Sequence, residues 1–126
     1  MIHVDHGDTL LGGILRASVG VPYECNAGGC GSCKYTLLEG TVADDLEGSA
    51  GLRASDRRKN KHLACISRPQ SDCTIDLKLD PEYTPKNLPQ KNDAVLHSIE
   101  RLTHDLWEFR FDSTGPARFL PGQYAK

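Results

Sequence analysis

The chain has 126 residues with 38% hydrophobic content and a formal net charge of −2. That length suits one domain and part of another, and the near-neutral charge gives no global field for nucleic acid or a membrane surface. No run of about 18 apolar residues is present to span a bilayer, and five cysteines, an odd number, with no secretory signal ahead of them point to a reducing cytoplasm rather than a disulfide framework.

Residues 1–7 predict a short strand, because Ile2 and Val4 alternate with polar neighbours. His3 and His6 read as solvent-facing. Residues 8–19 predict a helix capped by Asp8, with Leu10, Leu11, Ile14 and Leu15 as its apolar stripe and Gly20 as its C′ residue. Gly12 and Gly13 weaken that helix by roughly 1 kcal/mol each, so close packing against another backbone is expected there.

Residues 24–34 are the centre of the chain. Cys25, Cys30 and Cys33 follow a Cys-x4-Cys-x2-Cys pattern, and Cys65 follows after 31 intervening residues. This is the plant-type spacing for a [2Fe–2S] cluster, in which two irons take two thiolates each. Gly28, Gly29 and Gly31 let the backbone approach the anionic centre and adopt positive φ. A structural zinc site would use four cysteines too, but in two paired knuckles, and Cys65 has no knuckle partner. A thioredoxin-like pair at Cys30 and Cys33 leaves Cys25 and Cys65 without a role.

Beyond the loop, residues 34–38 predict a strand with Tyr35 and Leu37 on one face, and residues 41–43 continue the sheet. Residues 44–51 read as loop and residues 55–60 as a short helix. Arg53, Arg57, Arg58, Lys59 and Lys61 cluster around that helix. With no interleaved aromatic side chains they read as a solvated face, not a nucleic-acid patch. His62 reads as packing or surface. Residues 73–79 alternate Cys73, Ile75, Leu77 and Leu79 with polar neighbours, a half-buried strand. Cys73 reads as a core cysteine, where a serine hydroxyl would lack a partner at a cost of roughly 1–3 kcal/mol. Residues 80–93 hold three prolines and read as a linker. Residues 94–101 and 106–111 predict two antiparallel strands, with Trp107, Phe109 and Phe111 on one face.

Three stretches carry a resemblance: Pro22-Tyr23-Glu24-Cys25 through Cys33-Lys34, then Leu38-Glu39-Gly40, then Leu63-Ala64-Cys65. Together they resemble the ferredoxin domain of the NADH-dependent reductase components of bacterial aromatic-ring oxygenases and monooxygenases. Phe119-Leu120-Pro121-Gly122-Gln123-Tyr124 resembles the opening of the flavin barrel of ferredoxin–NADP reductase-like proteins.

The resemblance implies an α+β chain, a β-grasp ferredoxin-like domain followed by the first strands of an incomplete antiparallel β-barrel. It implies a ferredoxin domain over residues 1–80, a linker over 81–93 and a fragment of the FAD-binding barrel over 94–126. About ten residues of the β-grasp hairpin would then precede residue 1, and the rest of a longer reductase would follow residue 126. It assigns Cys25 and Cys30 to the iron nearer the surface and Cys33 and Cys65 to the inner one. The implied function is one-electron transfer through the cluster, from NADH by way of FAD, to an oxygenase or a separate ferredoxin. The partners are the flavin domain of the same protein and that acceptor, without nucleic acid or membrane, in the cytoplasm. FAD and NADH sites are expected only in a longer chain, and no residue here is catalytic. A stand-alone ferredoxin and a zinc-stabilised interaction domain are the other readings.

Overall fold

A computed structural model of the chain describes residues 1–115. The chain divides into two compact units, Met1–Pro89 and Gln90–Lys126. Among the described residues no helix is long and apolar enough to cross a membrane. The fold is mixed α/β and rich in strands.

The first unit holds two short α-helices, α1 (Leu10–Arg16) and α2 (Ala54–Arg58), a 3-10 turn at Pro81–Tyr83, and five strands. The strands are β1 (Lys34–Glu39), β2 (Val42–Asp44), β3 (Lys61–Leu63), β4 (Ser67–Pro69) and β5 (Thr74–Leu77). β1 lies at the centre of an antiparallel sheet in the order β3-β1-β5, and β2 pairs antiparallel with β4. Alternation along β1 buries Tyr35 and Leu37 and leaves Leu38 and Glu39 exposed. The stripe of α1, Leu10, Leu11, Ile14 and Leu15, joins Val21, Tyr35, Leu37, Leu52, Leu63 and Ile66 in one core. Each such aliphatic side chain contributes roughly 1.5–3 kcal/mol when fully buried. Cys33 and Cys65 belong to the same core.

Several local expectations shift. Residues 1–7 form no strand; they run as an irregular segment with a turn at His6 and Gly7, because no strand among the described residues lies alongside to complete a ladder. Thr9, not Asp8, caps α1, its hydroxyl accepting the Gly12 N–H at 3.1 Å. Asp8 instead pairs with Arg16 across the helix. α1 ends by Ala17, and Ser18 takes the left-handed conformation expected of Gly20. Gly20 has another use: a Cβ there would lie 2.1 Å from the Asp80 carbonyl oxygen. The helix glycines face side chains and not the backbone expected there: a Cβ on Gly13 would fall 2.7 Å from the Val4 side chain, and one on Gly12 would fall 2.8 Å from Asp8 Oδ1. Leu79, placed on the buried side by period two, is exposed, because β5 ends at Leu77.

The second unit shows one hairpin among the described residues, β6 (Ala94–Arg101) against β7 (Trp107–Ser113). Residues 119–124, the expected entry to a barrel strand, lie outside the described residues.

Candidate metal centre

Cys25, Cys30 and Cys33 sit on the loop between α1 and β1, and Cys65 sits in the turn between β3 and β4, not within a strand. Two backbone hydrogen bonds bring the pieces together. The Ala64 N–H donates to the Cys33 carbonyl at 3.0 Å, and the Leu11 N–H donates to the Ala64 carbonyl at 2.9 Å. The Cys65 turn is thus clasped between the end of the cysteine loop and the start of α1. None of the five cysteines is in a disulfide.

The loop aims its amides at sulfur. Cys25 Sγ accepts from the N–H groups of Ala27 at 3.4 Å, Gly29 at 3.3 Å and Cys30 at 3.4 Å. Cys30 Sγ accepts from the Ser32 N–H at 3.5 Å. Curling the chain this tightly needs left-handed residues, and Asn26, Gly28 and Gly31 supply them at φ of 48°, 78° and 81°. Gly29 differs from the other two glycines: its φ is not positive, and a Cβ there would meet only Cys25 Sγ at 3.9 Å. Its contribution is its N–H.

The four thiols differ in exposure, Cys25 being half-buried. Cys33 and Cys65 are buried and share a hydrogen bond, which together with burial pushes the Cys33 thiol up. Cys30 is exposed. Desolvation works upward on it, but hydrogen bonds from Ser32 and Cys25 outweigh that and bring its thiol down to about 6. Among the described residues no three His, Cys, Asp or Glu side chains converge closely enough to hold one metal ion. A pair of irons takes four thiolates, and here three come from one tight loop and the fourth from the turn bonded to its end. Buried thiols whose protons are held firmly exchange them for a cation on metal binding, and N–H groups already directed at sulfur suit an anionic centre. The residues present therefore fit a [2Fe–2S] cluster.

A neighbouring segment unmarked by the cysteine pattern completes the loop's support. The Gly51 N–H donates to the Gly28 carbonyl at 3.0 Å. A Cβ on Gly31 would lie 2.8 Å from the Gly51 carbonyl oxygen, and one on Gly51 would lie 2.8 Å from the Gly31 nitrogen. Arg57 Nη2 donates to the buried Ser49's carbonyl at 3.1 Å and so holds the segment down. In the sequence this stretch reads only as a glycine-containing loop; the one available signal was that Gly51 directly precedes the apolar Leu52. Cys73 stands apart from the four. Its thiol faces the carbonyl oxygens of Ser71 at 3.2 Å and Thr41 at 3.4 Å, so a hydroxyl in its place would find acceptors, contrary to expectation. His62 is no part of the site either: it stacks on Tyr35 and bonds Asp44 at 2.9 Å.

Residues 1–70 match the family of 2Fe-2S iron–sulfur cluster binding domains. The chain is 42% identical over 119 residues to a ferredoxin–NAD(P)(+) reductase of Metapseudomonas resinovorans, covering 94% of this chain and 36% of that protein. It is 36% identical over 118 residues to the ferredoxin–NAD(+) reductase component of an alkene monooxygenase system of Xanthobacter autotrophicus, covering 92% and 36%. Among solved structures it is similar to the ferredoxin reductase in carbazole 1,9a-dioxygenase, with a TM-score of 0.88 and 42% identity over 93% of this chain and 36% of that one. The chain thus spans about a third of the length of the curated relatives it matches.

Proposed function

The chain belongs to the 2Fe-2S iron–sulfur cluster binding domain family, and from that premise we propose that it is the electron-transfer end of an NADH- and FAD-dependent oxygenase reductase. Cys25, Cys30, Cys33 and Cys65 would be the ligands, with Gly28, Gly29 and Gly31 shaping the loop around the centre. The observation that supports this reading is the convergence of the Ala27, Gly29 and Cys30 amides on Cys25 Sγ, in a loop whose end is clasped to the Cys65 turn by the Ala64 N–H.

A bound [2Fe–2S] cluster supplies reversible one-electron storage, at about −400 mV for the plant type. The chain's own residues do the rest. Cys33 and Cys65 anchor the inner side within the core, where Leu63, Ala64 and Ile66 are buried and exclude water. The N–H groups of Ala27, Gly29, Cys30 and Ser32 offset negative charge on the outer sulfurs, which eases acceptance of an electron. Exposed Cys30 brings one edge of the site to the surface, where an electron would enter or leave.

On the same reading residues 1–80 are a β-grasp domain, residues 81–93 the linker, and residues 94–126 the start of a FAD-binding barrel. The 42% identity to a reductase along 94% of the chain supports this, since the match runs beyond the cluster-binding residues. FAD and NADH would bind only in a longer chain, which would work in the cytoplasm and deliver electrons to an oxygenase or a ferredoxin. The test is to compare this chain with one extended through the flavin and nicotinamide regions. NADH should bleach the visible bands of the longer chain and leave those of the 126-residue chain untouched. Flavin retention and NADH turnover by the short chain would contradict the assignment.

A further inference from the structure

The basic run beside the cysteine loop has no part in holding the centre. Between residues 53 and 61 the chain carries Arg53, Arg57, Arg58, Lys59 and Lys61 against one carboxylate, Asp56. That carboxylate is already engaged by Lys34 Nζ at 2.8 Å and by the Arg53 N–H at 3.1 Å. Arg53, Arg57, Arg58 and Lys59 are exposed, on a chain whose net charge is −2. The positive charge is therefore local. It adjoins the candidate centre, because Cys30 and Gly31 line one open pocket together with Lys34, Arg53, Ser55 and Asp56. It is also tied to the loop: Arg57 holds Ser49, and Gly51 holds Gly28. A partner seated on these cations would have a fixed distance to the Cys30 edge.

We infer that this face docks the protein that exchanges electrons at the Cys30 edge, and that the docking surface of that protein is rich in carboxylates. The inference rests on the electron-transfer reading above. Nucleic acid would answer the same charge, but residues 49–61 contain no aromatic side chain on which a base could stack. Charge pairing of this kind speeds encounter by roughly 10- to 1,000-fold at low salt and fades as salt rises.

The test uses the cluster-loaded chain, reduced anaerobically and mixed with an acidic flavodoxin or with basic cytochrome c. The variants are Arg58→Glu/Lys59→Glu, its neutral counterpart Arg58→Gln/Lys59→Gln, and Lys86→Glu as a control outside the run. An unchanged visible spectrum shows that each variant has folded, and if the double reversal loses it, the glutamine pair carries the comparison. Oxidation by flavodoxin should slow about tenfold in the double reversal at low salt and fall with salt in the parent. Lys86→Glu should match the parent, and cytochrome c should react faster with the reversal. Equal flavodoxin rates in parent and reversal, or a parent rate that rises with salt, would overturn the inference. So would a single-stranded oligonucleotide that binds the parent more tightly than flavodoxin does and is lost on reversal. A chain that takes up no cluster brings down both readings and shows it in the spectrum before mixing; a flat charge dependence with an intact spectrum brings down this one alone.

Discussion

At the scale of single residues, the glycines around the cysteine loop are not equivalent. Gly31 stands at φ 81° and faces the Gly51 carbonyl, whereas Gly29 has no positive φ and has room for a methyl group. Gly31→Ala and Gly51→Ala should each destabilise the protein by roughly 1–3 kcal/mol through overpacking and cut iron retention, while Gly29→Ala should keep both. Iron content after gel filtration, beside a thermal melt, checks this. Cys73→Ser should leave iron content unchanged and cost under about 1 kcal/mol, because the Ser71 and Thr41 carbonyls accept from whatever replaces the thiol. Iron loss equal to that of Cys65→Ser would make Cys73 a ligand. The four candidate ligands were legible because their spacing is a chemical constraint written along the chain. Gly51, Ser49 and Arg57 were not, because what they do depends on a contact between segments some 20 residues apart, as from Gly28 to Gly51.

At the scale of elements, periodicity located α1 and β1 but not their ends. The stripe of Leu10, Leu11, Ile14 and Leu15 reports burial, while the cap depends on which of two adjacent polar residues bonds the helix, and Thr9 does so because Asp8 is drawn to Arg16. The expected strand at residues 1–7 failed for a related reason: alternation predicts a strand only where a neighbour completes the ladder. α2 is short and buries none of its residues, so it depends on its ties. Lys34 and the Arg53 N–H hold the Asp56 carboxyl below the usual carboxylate range. A depressed carboxyl contributes stability above its unfolded pKa and loses that contribution as the pH falls through its folded one. Asp56→Asn should therefore melt below the parent at pH 7, and the two melts should converge in acid, below the carboxylate range. A gap that persists there would assign the loss to packing instead of charge.

At the scale of the whole molecule, the chain divides at Pro89 and Gln90, inside the stretch read as a linker, whose front part holds a 3-10 turn at Pro81–Tyr83 and belongs to the first unit. The hairpin of β6 and β7 was legible in the sequence, but its aromatic side chains Trp107, Phe109 and Phe111 are exposed, because strand alternation sorts side chains onto a face without burying it. The direct measurement of the centre is an EPR spectrum of the anaerobically reconstituted chain after one-electron reduction, taken with iron, sulfide and zinc analysis of the same sample. The account predicts a red-brown protein with two irons and two sulfides per chain and a rhombic signal, as the [2Fe–2S] assignment requires. A colourless, EPR-silent protein holding one zinc per chain would contradict it.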